Sequence, residues 1–383
     1  MKNVKKSLIL LGMMVVIMIL ITGCGTQTTS ENTTGNTTEN KTENTTGQLS
    51  EADKDYLINV GYYNCDHMTA ACIAKDTGIY DALGLKVNVT GNGKVPEAMA
   101  AGKMDVGYIG TEGLMQAFLK GAPIIVAANN HLGGSYYLVG SNGIKAPGDL
   151  VGKKVALGTD PEKTNSSWIT IAKTAGIPAE GKNYETFDMG DKDKFFALKA
   201  NKLDGYICCD PWASMAEYEK AGYIVQTMSK LPTGDWGSCC VFSMNQNFAK
   251  DHPELAQKMI LAHSQALEYI YTHPYKSAEI FSKNYSVPLE VALMTIYKKT
   301  VGEGRTLNWE INKKNFQDEI NYELNVGTLA KAPGIDEFIK TDLLAQAGTD
   351  SFSTFIKDKV DPVFPLGMSY DAWKKKAAEI DVK

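Results

Sequence analysis

Short runs of β-favouring residues alternate with helix-length runs that stop at glycine, and this rhythm excludes most folds. Residues 57–63 (LINVGYY), 85–90, 104–109 and 124–128 read as strands. Residues 68–77, 95–101 and 112–120 lie between them and read as helices closed by Gly78, Gly102 and Gly121. Strands alternating with helices indicate an α/β class with a parallel sheet. The rhythm restarts after residues 136–140. A strand at 153–157, a helix at 166–175 stopped by Gly176, a helix at 192–201 and a strand at 203–208 form a second unit. Residues 237–244 read as a return segment, and 251–282, 289–299 and 312–324 are amphipathic helical stretches.

One α/β unit inserted in another predicts two lobes joined by two crossing strands, near 136–141 and 238–244. Lobe 1 would comprise residues 55–138 and 243–383, with the C-terminal helices, and lobe 2 residues 139–242. Such a shape places a ligand at the lobe interface, at the carboxyl ends of strands and the N-termini of helices.

The N-terminal segment has its own chemistry. Lys2, Lys5 and Lys6 precede an apolar run over 8–21 and then Ile21-Thr22-Gly23-Cys24. A basic start, a short apolar run and small residues before a cut are the marks of a secretory signal. The run falls short of the roughly 20 residues a spanning helix needs. Its end resembles a lipobox, which implies a lipid thioether on Cys24, cleavage of residues 1–23 and an anchor on the outer face of the cell membrane. Residues 24–54, dominated until Leu49 by Thr, Asn, Glu and Gly, lack the apolar surface to offset ordering and read as a disordered tether. Four N-x-[ST] sequons fall there, at Asn32, Asn36, Asn40 and Asn44. The formal charge is −5, and loss of the three signal lysines leaves −8. No basic patch exists, so nucleic acid is excluded as a partner. Arg305 is the sole arginine, far downstream of the expected cleft loops, so a buried guanidinium fork for an anion is not expected.

From about 57 to 270 the chain resembles the nitrate/sulfonate/taurine solute-binding family of ABC importers, which includes thiamine-precursor binders. Four stretches carry the resemblance: Ala74-Lys-Asp-Thr-Gly78-Ile-Tyr80 with Gly84-Leu85; AAGKMDVGYIGTEGLMQAFLKGAPIIVAA over 100–128; Gly148-Asp-Leu-Val-Gly-Lys-Lys-Val155; and Leu203-Asp-Gly-Tyr206 with Pro211-Trp212, followed by Phe248-Ala-Lys-Asp-His-Pro-Glu254. It implies a type II periplasmic-binding fold that closes on a small solute and delivers it to permease and ATPase subunits. Binders of this kind dock as monomers. It also implies that the loops after the strands carry the contacts. Those loops contain Cys65, Asp66, His67, Thr111, Glu112, His131, Asn165, Ser166, Ser167, Cys209, Asp210 and Trp212. The Thr164-Asn-Ser-Ser167 run suits ligand contact and plain helix capping alike. Trp212 suits stacking on a ring and packing within lobe 2 alike.

The cysteines depart from that family's pattern. Beyond Cys24 there are Cys65, Cys72, Cys208, Cys209, Cys239 and Cys240, and His67 and His131 fall in cleft loops beside them. Adjacent strand residues face opposite ways, so each vicinal pair should send one thiol to the cleft. Three readings stand. An even count outside the cell favours disulfides, such as Cys65–Cys72 or a link between the 208/209 and 239/240 pairs. Free cysteine also packs as a small hydrophobe. Soft-metal or iron–sulfur solute capture would use Cys65, Cys208, Cys209, Cys239 and Cys240, assisted by His67 or His131. The metal or cluster is then the transported solute rather than a resident cofactor. No C-x-x-C spacing is present.

Against these binding functions stand two others. An enzyme of the pyrimidine-forming thiamine pathway would carry a longer cysteine run than Ser238-Cys-Cys-Val-Phe242 offers, and no nucleophile–base constellation is visible. A surface adhesin or sensor would not need a cleft that closes on free solute. The expectation is a binding protein, not an enzyme. It would hold a metal or cluster or, with structural disulfides, a small organic solute such as a sulfonate or pyrimidine.

Overall fold

The computed structural model describes residues 49–382, except 52, 92, 134–135 and 229–236. The signal over 1–23, Cys24 and nearly all of the tether lie outside the described residues.

Among the described residues, ten strands form two five-stranded sheets. They are β1 (Leu57–Tyr62), β2 (Lys86–Gly91), β3 (Val106–Gly110), β4 (Ile124–Leu132), β5 (Tyr136–Ser141), β6 (Lys154–Ala156), β7 (Glu185–Thr186), β8 (Gly205–Cys208), β9 (Gly222–Met228) and β10 (Ser238–Asn245). The order is β2-β1-β3-β10-β4 in lobe 1 and β7-β6-β8-β5-β9 in lobe 2. After β10 the chain is mostly helical, through Pro253–Thr272, Pro274–Tyr285, Leu289–Tyr297 and Lys313–Val326 to Tyr370–Asp381. Together these are the two α/β lobes of the type II periplasmic-binding fold.

Two expectations change. The sheets are mixed rather than parallel, because β10 runs antiparallel between β3 and β4, and β5 runs antiparallel beside β8 and β9. A strand that arrives from the opposite lobe comes in from the cleft side, so it must run against strands whose carboxyl ends face the cleft. The crossings also lie a few residues from where the pattern put them. β5 pairs wholly within the lobe 2 sheet and β10 wholly within the lobe 1 sheet. The chain therefore changes sheet between Leu132 and Tyr136 and again between Met228 and Ser238, not at 138 and 242. The amphipathic stretch over 251–282 divides at Pro274, which supplies no N–H to continue the helix Pro253–Thr272 and opens the helix Pro274–Tyr285.

The glycine stops behave as read. Gly78, Gly102, Gly121 and Gly176 all have positive φ, from 66° to 89°, where a side chain would be strained. The lobe 2 core is built on Trp168, Leu138, Val155 and Ile207. The C-terminal helices close the molecule: Leu289–Tyr297 packs on Trp212–Tyr218 of lobe 2, and Lys313–Val326 packs on Ser166–Ala175.

Candidate functional site

β1 ends at Tyr62, and one 3-10 turn, Asp66–Met68, joins it to the helix Ala70–Asp76. That turn carries Cys65, Asp66 and His67 to the carboxyl end of the lobe 1 sheet. β8 ends at Cys208 and delivers Cys209 and Asp210 from lobe 2. The two loops meet directly: the Asp66 N–H donates to the Asp210 carbonyl across the cleft at 2.9 Å.

β10 brings the third set. Its pairing sets Cys240 opposite Gly110 of β3 and His131 of β4. The register shifts on both sides of Cys240, a bulge that breaks the alternation of faces. The pair Cys239 and Cys240 therefore departs from the one-in, one-out expectation: both sulfurs turn to His67, and the two Sγ atoms lie 3.4 Å apart.

One ligand atom from each of Cys65, Asp66, His67 and Cys209 lies within 4.8 Å of the others, and the same holds for His67, Cys239 and Cys240. His67 belongs to both groups, and its ring stacks on His131 at 4.7 Å. Its Nδ1 pairs with Asp66 at 2.9 Å, which leaves Nε2 facing the Cys65 sulfur at 3.3 Å. Asp66 is wholly buried and is also paired to the buried Lys299 at 3.0 Å. Lys299 in turn binds Glu303 at 2.8 Å and the Tyr137 hydroxyl at 3.0 Å. Lys298 reaches Asp210 at 3.2 Å and Ser214 at 2.9 Å. Two adjacent lysines thus tie the C-terminal helices to both sides of the cleft.

The charges around the sulfurs are shaped by these contacts. A hydrogen bond from Cys209, with His67 assisting, holds the Cys65 thiol down at about 7 against the effect of burial. Cys240 and the two imidazoles hold Cys239 well below the ordinary thiol range, while burial and Cys239 push Cys240 up. Burial works against charge on Asp66, but Lys299 and His67 keep its carboxyl low. Burial also pulls His67 down, but Cys65, Asp66 and Cys239 raise it well above the ordinary imidazole range. His131 is pushed down by its burial and by His67.

Two cavities flank the cluster. One of about 750 Å³ is lined by Cys65 and Cys209 and walled by Tyr63, Tyr136, Trp212 and Tyr285. A smaller one of about 60 Å³ is lined by Cys239, Thr111, Glu112, Ser166, Ser167, Glu319 and Glu323. Here burial, then Glu323, raises Glu112 to about 7.

Other residues expected at the site stand elsewhere. Cys208 is buried outside both ligand groups, the opposite-face partner of Cys209. Cys72 lies in the lobe 1 core against Tyr62. Among the described residues, all six cysteines are unbridged. Asn165 caps the helix Ser166–Ala175, accepting from the Trp168 N–H at 3.0 Å and donating to Leu157 at 3.2 Å. The Asp210 carboxylate is taken by Ser214 and Lys298. Thr111 donates to Ser238, and Ser166 donates to Glu112 at 3.1 Å. Trp212 both packs on Phe195 and faces the larger cavity. Arg305 is engaged by Thr300, Asp361 and Phe364 and takes no part in the cleft. Sequence reading missed Tyr137, Lys298, Lys299, Glu303, Glu319 and Glu323. The one available signal was the Lys298-Lys299 pair ending an otherwise apolar helical run.

Residues 51–282, more than half of the chain, match the NMT1-like family. The chain belongs to that family. A Brucella abortus protein named as a binding protein is 24% identical over 232 residues, covering 59% of this chain and 70% of its own length. The ligand-binding component of an ABC-type import system from Staphylococcus aureus, with zinc bound, superposes with TM-score 0.64 at 16% identity, covering 77% of this chain and all of that one. The periplasmic nitrate-binding protein of Synechocystis superposes with TM-score 0.60 at 17% identity, covering 85% and 98%. Among the described residues no helix is long and apolar enough to cross a membrane.

Proposed function

We propose that this NMT1-like chain is the extracytoplasmic, lipid-anchored binding subunit of an ABC importer, and that its solute is a soft metal captured by cysteine thiolates between the lobes. One observation carries the reading of the solute: Cys209 of lobe 2 converges within 4.8 Å on Cys65 and His67 of lobe 1. Thiolate and imidazole together suit zinc and copper(I) and disfavour magnesium or calcium. A ligand set divided between lobes also makes binding and closure one event, because the ion is fully held only when both lobes contribute. The role as an importer subunit is supported by the family and by neighbours named as parts of import systems. The anchor is supported by the segment ending at Cys24.

Cobalt(II) tests the proposal, since thiolate coordination gives it an intense near-ultraviolet charge-transfer band. The reduced chain, titrated anaerobically, should develop that band to saturation at a simple stoichiometry. Cys209→Ser and Cys65→Ser should each weaken binding at least tenfold, and Cys72→Ser should not. A fully reduced chain that develops no band would sink the proposal.

A further inference from the structure

We infer that the solute is a metal chelate: a soft ion seated on Cys65 and Cys209 that carries a compact, planar organic chelator into the aromatic cavity beside them. The inference rests on the reading of the thiol cluster as a metal site and adds what the ion brings with it.

Size comes first. A water molecule occupies about 30 Å³, and a bare ion less. Cys65 and Cys209 line a cavity of about 750 Å³, which lies in the range of roughly 300–1,000 Å³ that organic ligands fill. A naked ion would leave that volume to water.

Wall chemistry is the second observation. Tyr63, Tyr136, Trp212 and Tyr285 surround the space, with Asn64 and Lys192 at its polar edge. Aromatic faces favour a flat ring system over a hydrated ion. Trp212 and Tyr136 come from lobe 2 and Tyr63 and Tyr285 from lobe 1 and its C-terminal helices, so a planar guest would be enclosed from both sides.

The third observation is an incomplete ligand set on the cavity side. Of the four groups that converge there, the Asp66 carboxylate is committed to His67 at 2.9 Å and Lys299 at 3.0 Å. Two thiolates and one imidazole nitrogen remain. Zinc takes four ligands and can expand to five, so three protein donors leave room for the two donors of a small chelator, on the side where both thiols line the cavity. Cys239 and Cys240 fall outside the group formed by Cys65, Asp66, His67 and Cys209, and Cys239 lines the separate small cavity.

The test uses Zn²⁺ alone and its 1:1 complex with 2,2′-bipyridine, a flat nitrogen chelator with its own absorbance. Each is added to the reduced full-length chain, which is then desalted and assayed for zinc and bipyridine. The expected result is one bipyridine retained per zinc, and none when zinc is omitted. Trp212→Leu and Tyr63→Leu should each lower affinity for the complex at least tenfold more than affinity for the ion alone. Zinc retained with bipyridine washed away overturns the inference, as does an equal loss of both affinities in the two variants. A chain that retains no zinc in either form fails the metal reading itself, a result separable from the first two.

Discussion

His263 is wholly buried, stacked on Phe242 at 4.7 Å, and uses both ring nitrogens: Nε2 donates to the Asn129 carbonyl at 2.8 Å and Nδ1 accepts from the Tyr108 hydroxyl at 3.1 Å. Burial pushes it down to about 4. A base whose folded value is depressed binds fewer protons folded than unfolded, so its contribution is complete above about 6.5 and is lost as pH falls toward 4. That span is worth about 3 kcal/mol, of which about 2 kcal/mol should already be gone at pH 5. In denaturant unfolding, the drop in stability from pH 7.5 to 5 should be larger by that amount in the native chain than in His263→Gln. Equal drops would contradict the assignment. Lys299→Met should be more severe. It strands the carboxylates of Asp66 and Glu303 in the interior, a loss of about 3–5 kcal/mol, read as a lower denaturation midpoint. At this scale Cys65, His67, His131 and Cys209 were legible because loops after strands are where ligands bind. Lys299 and Glu303 were not, since nothing in a helical pattern tells which turn reaches under a distant loop.

At the scale of elements, Asn165 decides between two roles. As the cap of Ser166–Ala175 it satisfies the Trp168 N–H, so Asn165→Ala should lower stability by about 1 kcal/mol. The cobalt titration should keep its endpoint. Loss of binding without loss of stability would reverse that assignment and make Asn165 a solute contact. Glycine stops and period-two runs identified most strands and helices, because Gly78, Gly102, Gly121 and Gly176 occupy conformations that only glycine adopts at little cost. The strand β9 was not read from the pattern, which passed from the strand at 203–208 to the return segment at 237–244. Its pairing with β5 is a long-range contact that local propensity does not encode. The bulge at Cys240 was invisible for the same reason, and it is what turns two adjacent thiols to one side.

For the whole molecule, the two lobes and their helical closure followed from the restarted α/β rhythm, but the places where the chain changes sheet did not, since β5 and β10 read equally well in either sheet. The closed arrangement is held by the Asp66–Asp210 backbone hydrogen bond and by Lys298 and Lys299. If the ion joins the lobes, Zn²⁺ should stabilise the folded chain by about 2.7 kcal/mol at a hundredfold excess over its dissociation constant, and Cys209→Ser should abolish most of that gain. The most direct test is X-ray absorption at the zinc edge of the reduced, zinc-loaded chain. The account predicts at least two sulfur scatterers at about 2.3 Å with a nitrogen shell beside them, and one fewer sulfur in Cys209→Ser. A shell of nitrogen and oxygen alone, at about 2.0–2.1 Å, would contradict capture by the interlobe thiolates.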